Sequence, residues 1–145
     1  MAEDINVLAA SLFSEILVAD QLVRTRLSRV LPKGMELSHF NVLNHLCFVS
    51  GERTPAQLAD TFHLTRGAMT NTLNKLEWAG YIHVRPDWDD ARRKLVSLSP
   101  AGRRARDQAI TEITPIINQV VQELGADKVR AAIPVLRELR LKLGD

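Results

Sequence analysis

The stretch TPAQLADTFHLTRGAMTNTLNKLEWAGYIHVRPDWDDARRKLVSLSP, residues 54–100, decides the reading of this chain. It opens on Thr54-Pro55-Ala56-Gln57. A threonine with glutamine three residues on is a capping box, and proline fits the first position of a helix. The helix that follows is short and carries Leu58, Ala59 and Phe62; His63-Leu64 turns the chain. Thr65 caps the next helix, which runs to Ala79 and stops on Gly80. The period then changes from helical to alternating. Tyr81 to Pro86 and Lys94 to Ser99 read as two strands, with Ile82 and Val84 opposite Val96 and Leu98. Two capped helices around a tight turn, followed by a hairpin, predict a winged helix-turn-helix.

The flanks read as long helices. From Asp4 to Leu31, the residues Ile5, Leu8, Leu12, Ile16, Ala19, Val23, Leu27 and Val30 recur at steps of three or four. Pro32-Lys33-Gly34 ends that helix, which is long enough that part of it should pack outside its own core. Ser38 is a candidate cap for a helix bearing Phe40, Leu43, Leu46 and Cys47, closed by Ser50-Gly51. Ser99-Pro100 starts a helix to about Leu124-Gly125, with Pro115 inside expected to kink or restart it. A last helix from about Asp127 to Leu143 carries Val129, Ile133, Leu136, Leu139 and Leu143, with a bend expected at Pro134. The expected fold is thus mainly α with a small β-hairpin. Residues 1–145 form one domain, with residues 35–99 as its core and residues 4–34 and 100–145 as dimerisation helices.

The chemistry lies in the helix from Thr65. At about 100° per residue, Met69, Leu73 and Leu76 share a core-facing stripe. Gly67, Asn71 and Asn74 lie opposite, flanked by Thr70 and Lys75. Small and amide side chains suit a major groove, where asparagine pairs with adenine N6 and N7. Thr70 can meet a phosphate or a thymine methyl, and Gly67 lets the backbone come close. Arg66 and Lys75 can neutralise phosphates, and the helix start at Thr65 offers free N–H groups. A plain solvated face explains any one of these residues as well; the reading rests on the set.

At the hairpin tip stands Asp87-Trp88-Asp89-Asp90-Ala91-Arg92-Arg93-Lys94. Adjacent cations there suit the negative potential of a narrow minor groove. Asp90 is expected to hold Arg92 extended through a charge-assisted pair. Charge distribution agrees with this placement. Although the net charge is +2, residues 66–106 hold nine basic and four acidic side chains, while both flanks are slightly acidic.

Leu64 to Ile82 resembles the recognition helix of the MarR family. Asp90-Ala91-Arg92 with Val96-Ser97-Leu98-Ser99 and Gly102 is similar to that family's wing signature, and the helix order agrees along essentially the whole chain. The resemblance implies a homodimer with interleaved terminal helices. It also implies binding to operator DNA near the protein's own promoter, usually repression, often relieved by a small phenolic or lipophilic ligand. An apolar cluster of Leu12, Ile16, Phe40 and Leu43 with the single polar group of His39 is the candidate ligand site; core packing accounts for the same residues. One departure is Trp88, where the family often has proline.

Other chemistries find no purchase. No phosphate loop, nucleophile elbow or pair of catalytic acids occurs, so an enzyme is not expected. The four histidines lack ligand spacing, so neither metal nor cofactor is expected. Cys47 lies on the apolar stripe with Leu43 and Leu46, where a cysteine is ordinarily inert core. The redox sensors of the similar family carry theirs near the start of the first helix. With an acidic N-terminus, one cysteine and no run of about 18 apolar residues, the chain reads as cytoplasmic, with no membrane span. A winged helix used only for protein contacts is the rival to a DNA-binding reading.

Overall fold

The computed structural model describes residues 4–144. The acidic start at Met1-Ala2-Glu3 lies outside the described residues. Asp4 caps α1 (Ile5–Val30), its side chain accepting from the Asn6 N–H at 2.9 Å. The helix ends before Leu31-Pro32, where Leu31 drops into the core. No residue of α1 itself is buried; Leu27 and Val30, in its last turns, pack partly against the core.

α2 (Leu37–Phe48) starts two residues before the position expected from a cap at Ser38. Glu36 is the cap: its side chain accepts from the His39 backbone N–H, and His39 Nδ1 accepts from the Glu36 N–H at 3.3 Å. A glutamate–histidine pair here takes the part usually played by serine and glutamate, which is why Ser38 looked the better candidate. His39 is buried, and desolvation holds its imidazole below the ordinary histidine range, with the Glu36 carboxylate pulling the other way.

α3 (Pro55–Thr61) shows the anticipated capping box in full. Gln57 N–H donates to Thr54 Oγ1 at 3.1 Å, and Thr54 N–H donates to Gln57 Oε1 at 2.9 Å. α4 (Arg66–Trp78) is capped by Thr65, whose hydroxyl accepts from Ala68 N–H at 3.1 Å; Gly80 follows at φ +82°. β1 (Ile82–Pro86) and β2 (Lys94–Leu98) pair antiparallel, Ile82 with Leu98 and Val84 with Val96. The same register follows from the alternation in the sequence.

α5 (Pro100–Leu124) and α6 (Ala126–Leu143) complete the chain, joined at Gly125. Both run uninterrupted through their prolines, Pro115 and Pro134, so neither restart nor break occurs. Each proline lies on an exposed face, where water can solvate the carbonyl that loses its partner.

The core is built by α2, α3, α4 and the hairpin. Leu43, Leu58, Met69, Leu76 and Val96 are its most deeply buried side chains, closed on one side by Ala109 and Ile113 of α5. Cys47 sits beside this core, half-buried rather than within it. Outside it, large apolar side chains of three helices lie in the open. They include Leu8, Leu17, Leu22 and Val23 on α1, Ile117 and Leu124 on α5, and Val135, Leu136 and Leu141 on α6. The expectation that nothing here could span a membrane needs correction. α1 is long and apolar enough by length and composition, with a mean hydropathy of 1.4 over its most apolar 18 residues. Ser11, Ser14 and Glu15 interrupt its apolar run without lowering the average far, so no unbroken stretch marks it.

Candidate nucleic-acid interface

The turn between α3 and α4 is made by His63 at φ 53° and closed by Leu64 N–H donating to Ala59 carbonyl at 2.9 Å. That geometry sets α4 across α3 and presents its outer face. Met69, Leu73 and Leu76 are buried as the stripe predicts, joined by Thr72. Thr65, Arg66, Gly67, Thr70, Asn71, Asn74 and Lys75 are all exposed. The space around Gly67 is open: a Cβ built there would meet nothing within 4 Å. No packing inside the chain calls for a glycine at that position.

The wing tip is tied together by its own acidic and basic side chains. Asp87 is buried, and its carboxylate accepts from Asp89 N–H at 3.0 Å and from Arg93 Nη2 at 3.0 Å. Those bonds, the backbone N–H of Asp89 first, hold the Asp87 carboxyl below the usual carboxylate range. Asp90 accepts from Arg92 three times: the backbone N–H at 3.1 Å, Nε at 3.1 Å and Nη2 at 3.3 Å. This is the pairing anticipated from the sequence, and it pulls the Asp90 carboxyl down, with the Arg92 side chain as the largest cause. Arg92 stays 90% exposed on its side chain, so Asp90 orients the guanidinium without covering it. Arg93 differs. Its guanidinium is turned onto Asp87, with Asp90 3.8 Å from its Nε, so it braces the tip.

Between α4 and the wing lies a groove of about 470 Å³. Five of the nine residues singled out on α4 and the wing line it: Arg66, Thr70, Asn74, Arg92 and Arg93. Gly67 and Asn71 lie on the exposed surface of α4 outside it, and Lys75 lies elsewhere. Glu77 also lines the groove and sets one carboxylate among its cations, and two further contributors were not singled out. Lys94 lines the groove, and its place in the cationic run was the available signal. The segment before α3 is the other. Arg53 exchanges backbone hydrogen bonds with Val96 at 3.0 and 2.7 Å, making a short third rung beside the hairpin that brings Thr54 and Ala56 to the groove. No local pattern announces a single bridge of this kind.

Comparison with known proteins agrees with this geometry. The MarR family profile matches residues 33–93, from the end of α1 to the wing tip. Over that stretch the winged helix-turn-helix of this chain is similar to that of the MarR family. The fold of the whole chain is shared with solved MarR-family structures. A cysteine-to-serine variant of E. coli MarR complexed with operator DNA superimposes with a TM-score of 0.83 at 23% identity, covering 94% of this chain and 99% of that one. A MarR family transcriptional regulator from Streptomyces coelicolor gives 0.82 at 21% identity, covering 98% of each chain. The PcaV transcriptional regulator of the same organism, in complex with its natural ligand, gives 0.75 at 19% identity over 96% of each. No curated protein matches the chain at a significant level.

The MarR-like wing signature acquires a physical reason at Gly102. A Cβ on it would fall 2.0 Å from the Tyr81 carbonyl oxygen and 2.9 Å from Leu98 Cδ1. Around this contact Ser99 N–H donates to that same Tyr81 oxygen at 3.1 Å, Ser99 Oγ donates to Gly80 carbonyl at 2.7 Å, and Gly102 N–H donates to Ser99 Oγ at 2.9 Å. The start of α5 is thereby fastened to the end of the recognition helix.

The residues suggested for a ligand divide between two places. His39, Phe40 and Leu43 are buried in the core, whereas Leu12 is 46% exposed and Ile16 half-exposed. α1 meets the core only from Leu27 onward, roughly 22 Å along the helix axis from Leu12. Within one chain these five do not enclose a common cavity. His39 instead borders an open hollow of about 550 Å³ with Glu36, Lys75 and Trp78. There Lys75 Nζ stands 3.8 Å from Glu36 Oε1, on the flank of α4 away from the wing.

Proposed function

We propose that this chain is a homodimeric transcriptional repressor of the MarR family. In this reading it binds a pseudo-palindromic operator in the cytoplasm and is released by a small aromatic or lipophilic ligand. The observation that carries the reading is the convergence of Arg66, Thr70, Asn74 and Arg92 on one groove between a recognition helix and the wing. Gly67, which the fold itself leaves free, fits a close approach of α4 to DNA. Asn71 and Asn74 read base edges in the major groove, Lys75 meets phosphate, and Arg92 enters the minor groove. Arg93 acts mainly through the tip it braces.

The dimer is supported by the exposed apolar side chains of α1, α5 and α6. α5 packs against both of the other helices. Burying each such side chain in a partner stabilises by about 1.5–3 kcal/mol, less the ordering cost. That covering also accounts for the apolar character of α1 without a membrane, since α1 carries Glu15 and an Asp20–Arg24 pair at 3.0 Å midway along its length. Residues 1–145 then act as one unit, residues 35–99 presented to DNA by dimerisation helices at residues 4–34 and 100–145.

The direct test is quantitative binding to a duplex that the wild-type protein itself selects from a random-sequence library, beside a random duplex. Arg92→Ala is expected to cost about 1–3 kcal/mol with an unchanged melting temperature. Asn71→Ala or Asn74→Ala should lose a similar amount on the selected duplex and little on the random one. Lys75→Ala should weaken both alike and flatten the salt slope by about one unit. Equal losses on both duplexes for the asparagine variants would show that α4 does not read sequence through them. Absence of any salt-sensitive binding would favour a protein-interaction module.

Release by ligand is expected to need the dimer, because one chain leaves Leu12 and Ile16 far from His39, Phe40 and Leu43. A panel of aromatic acids should raise the melting temperature of the dimer and displace the duplex. No shift and no displacement across the panel would remove ligand control from the reading.

A further inference from the structure

Arg92 is not alone at the tip of the wing. Trp88 stands there 79% exposed, one of two tryptophans in the chain. Its position is fixed from both sides. Asp87, immediately before it, is buried and tied to Asp89 and Arg93. Arg85 places its guanidinium carbon 5.7 Å from the indole centroid and is itself held by Glu52, Nε donating to the two carboxylate oxygens at 3.1 and 2.9 Å. One face of the ring is therefore backed by a cation, and most of its surface remains open.

The flank is defined as well. Val84 and Val96 line the groove beside α4, and Arg85 alternates to the opposite face of the hairpin. The indole stacked with Arg85 thus occupies the outer flank of the tip, while Arg92 lies on the groove side. A hairpin tip that enters a DNA groove meets a sugar wall on each flank. Apolar side chains of minor-groove proteins work against those walls and base steps. An exposed aromatic surface that the fold does not cover, held in place by the Glu52-paired Arg85, matches that second wall.

We propose that Trp88 is a second DNA-contacting residue of the wing, laying its open face against the deoxyribose wall of the minor groove that Arg92 enters. This rests on the reading of the wing as a DNA contact. Because sugar is the same in every sequence, Trp88 adds affinity without specificity. Arg85 and Glu52 act as positioning residues for the ring.

In the Trp78→Phe protein, Trp88 is the sole tryptophan, so its emission reports on the tip alone. The probe is the duplex selected by the wild-type protein, with a random duplex beside it. Saturating duplex should shift the Trp88 emission and cut its quenching by acrylamide about twofold or more. Trp88→Ala should lose about fivefold or more in affinity on both duplexes with an unchanged melting temperature, and Trp88→Phe should recover most of the loss. Unchanged acrylamide access in the saturated complex overturns the proposal. So does a loss of affinity in Trp88→Ala without shielding of Trp88 in the complex, which would mean that the ring serves only to brace Arg85. If the wild-type protein shows no salt-sensitive binding to any duplex, the DNA reading itself fails, and that result is seen before any variant is measured.

Discussion

Replacing Gly102 with alanine is expected to destabilise the protein by about 3 kcal/mol, a fall of roughly 6–12 °C in Tm for a chain of this size. The added methyl would sit 2.0 Å from the Tyr81 carbonyl oxygen, which is backbone and already accepts from Ser99 N–H. Neither side can yield without breaking the knot that joins α5 to the end of α4. Because that knot positions the wing, operator affinity should fall with stability. Gly67→Ala is the matching control. It is the same substitution in a helix, yet the new methyl meets nothing within 4 Å. There the ordinary propensity gain of about 0.5–1 kcal/mol should appear as a higher Tm, while DNA binding weakens if the backbone approaches the duplex at that point. Thermal melts of both variants decide the matter. A Gly102→Ala protein melting within about 2 °C of the parent would show that the contact is not rigid.

Deletion of residues 127–145 is expected to abolish the dimer and, with it, operator binding by about a hundredfold or more, because two linked half-site contacts become one. α6 contributes no buried residue to the core of its own chain, yet Ile133, Val135, Leu136, Leu141 and Leu143 are between 47% and 63% exposed. The truncated chain should therefore keep a folded winged helix while losing its partner, or aggregate through the apolar surface left on α1 and α5. Sedimentation gives the answer directly: a well-folded truncated protein that remains dimeric would place the interface elsewhere.

The local elements were legible because their signals are local. Thr54 with Gln57, Thr65 before α4, Ser99-Pro100 before α5 and Gly80 after the recognition helix each satisfy helix-end groups within a few residues of themselves. The hairpin register followed from alternation at Ile82, Val84, Val96 and Leu98, since period two admits only one pairing that buries a single face. The Asp90–Arg92 pair spans two residues and was readable for the same reason. At Glu36–His39 the reading slipped by one unusual choice of residues: a buried neutral imidazole acting as the acceptor of a capping box has no common signature.

The order of the elements, most of their caps, the buried and exposed stripes of α4 and the basic character of the segment from Arg66 to Arg106 were therefore legible in the chain alone. These depend on short-range hydrogen bonding, on helical and strand periods, and on charge counts. Tertiary structure alone decided the rest. It turned Arg93 inward onto Asp87 and left Arg92 outward, although the two are neighbours of the same type. It put Lys75 beside Glu36 instead of in the wing groove, brought Arg53 to Val96, and made Gly102 indispensable while leaving Gly67 free. It also separated Leu12 from His39 along one long helix. Each of those outcomes depends on which distant backbone arrives at a given side chain, and that is fixed by how the helices pack rather than by any spacing along the chain.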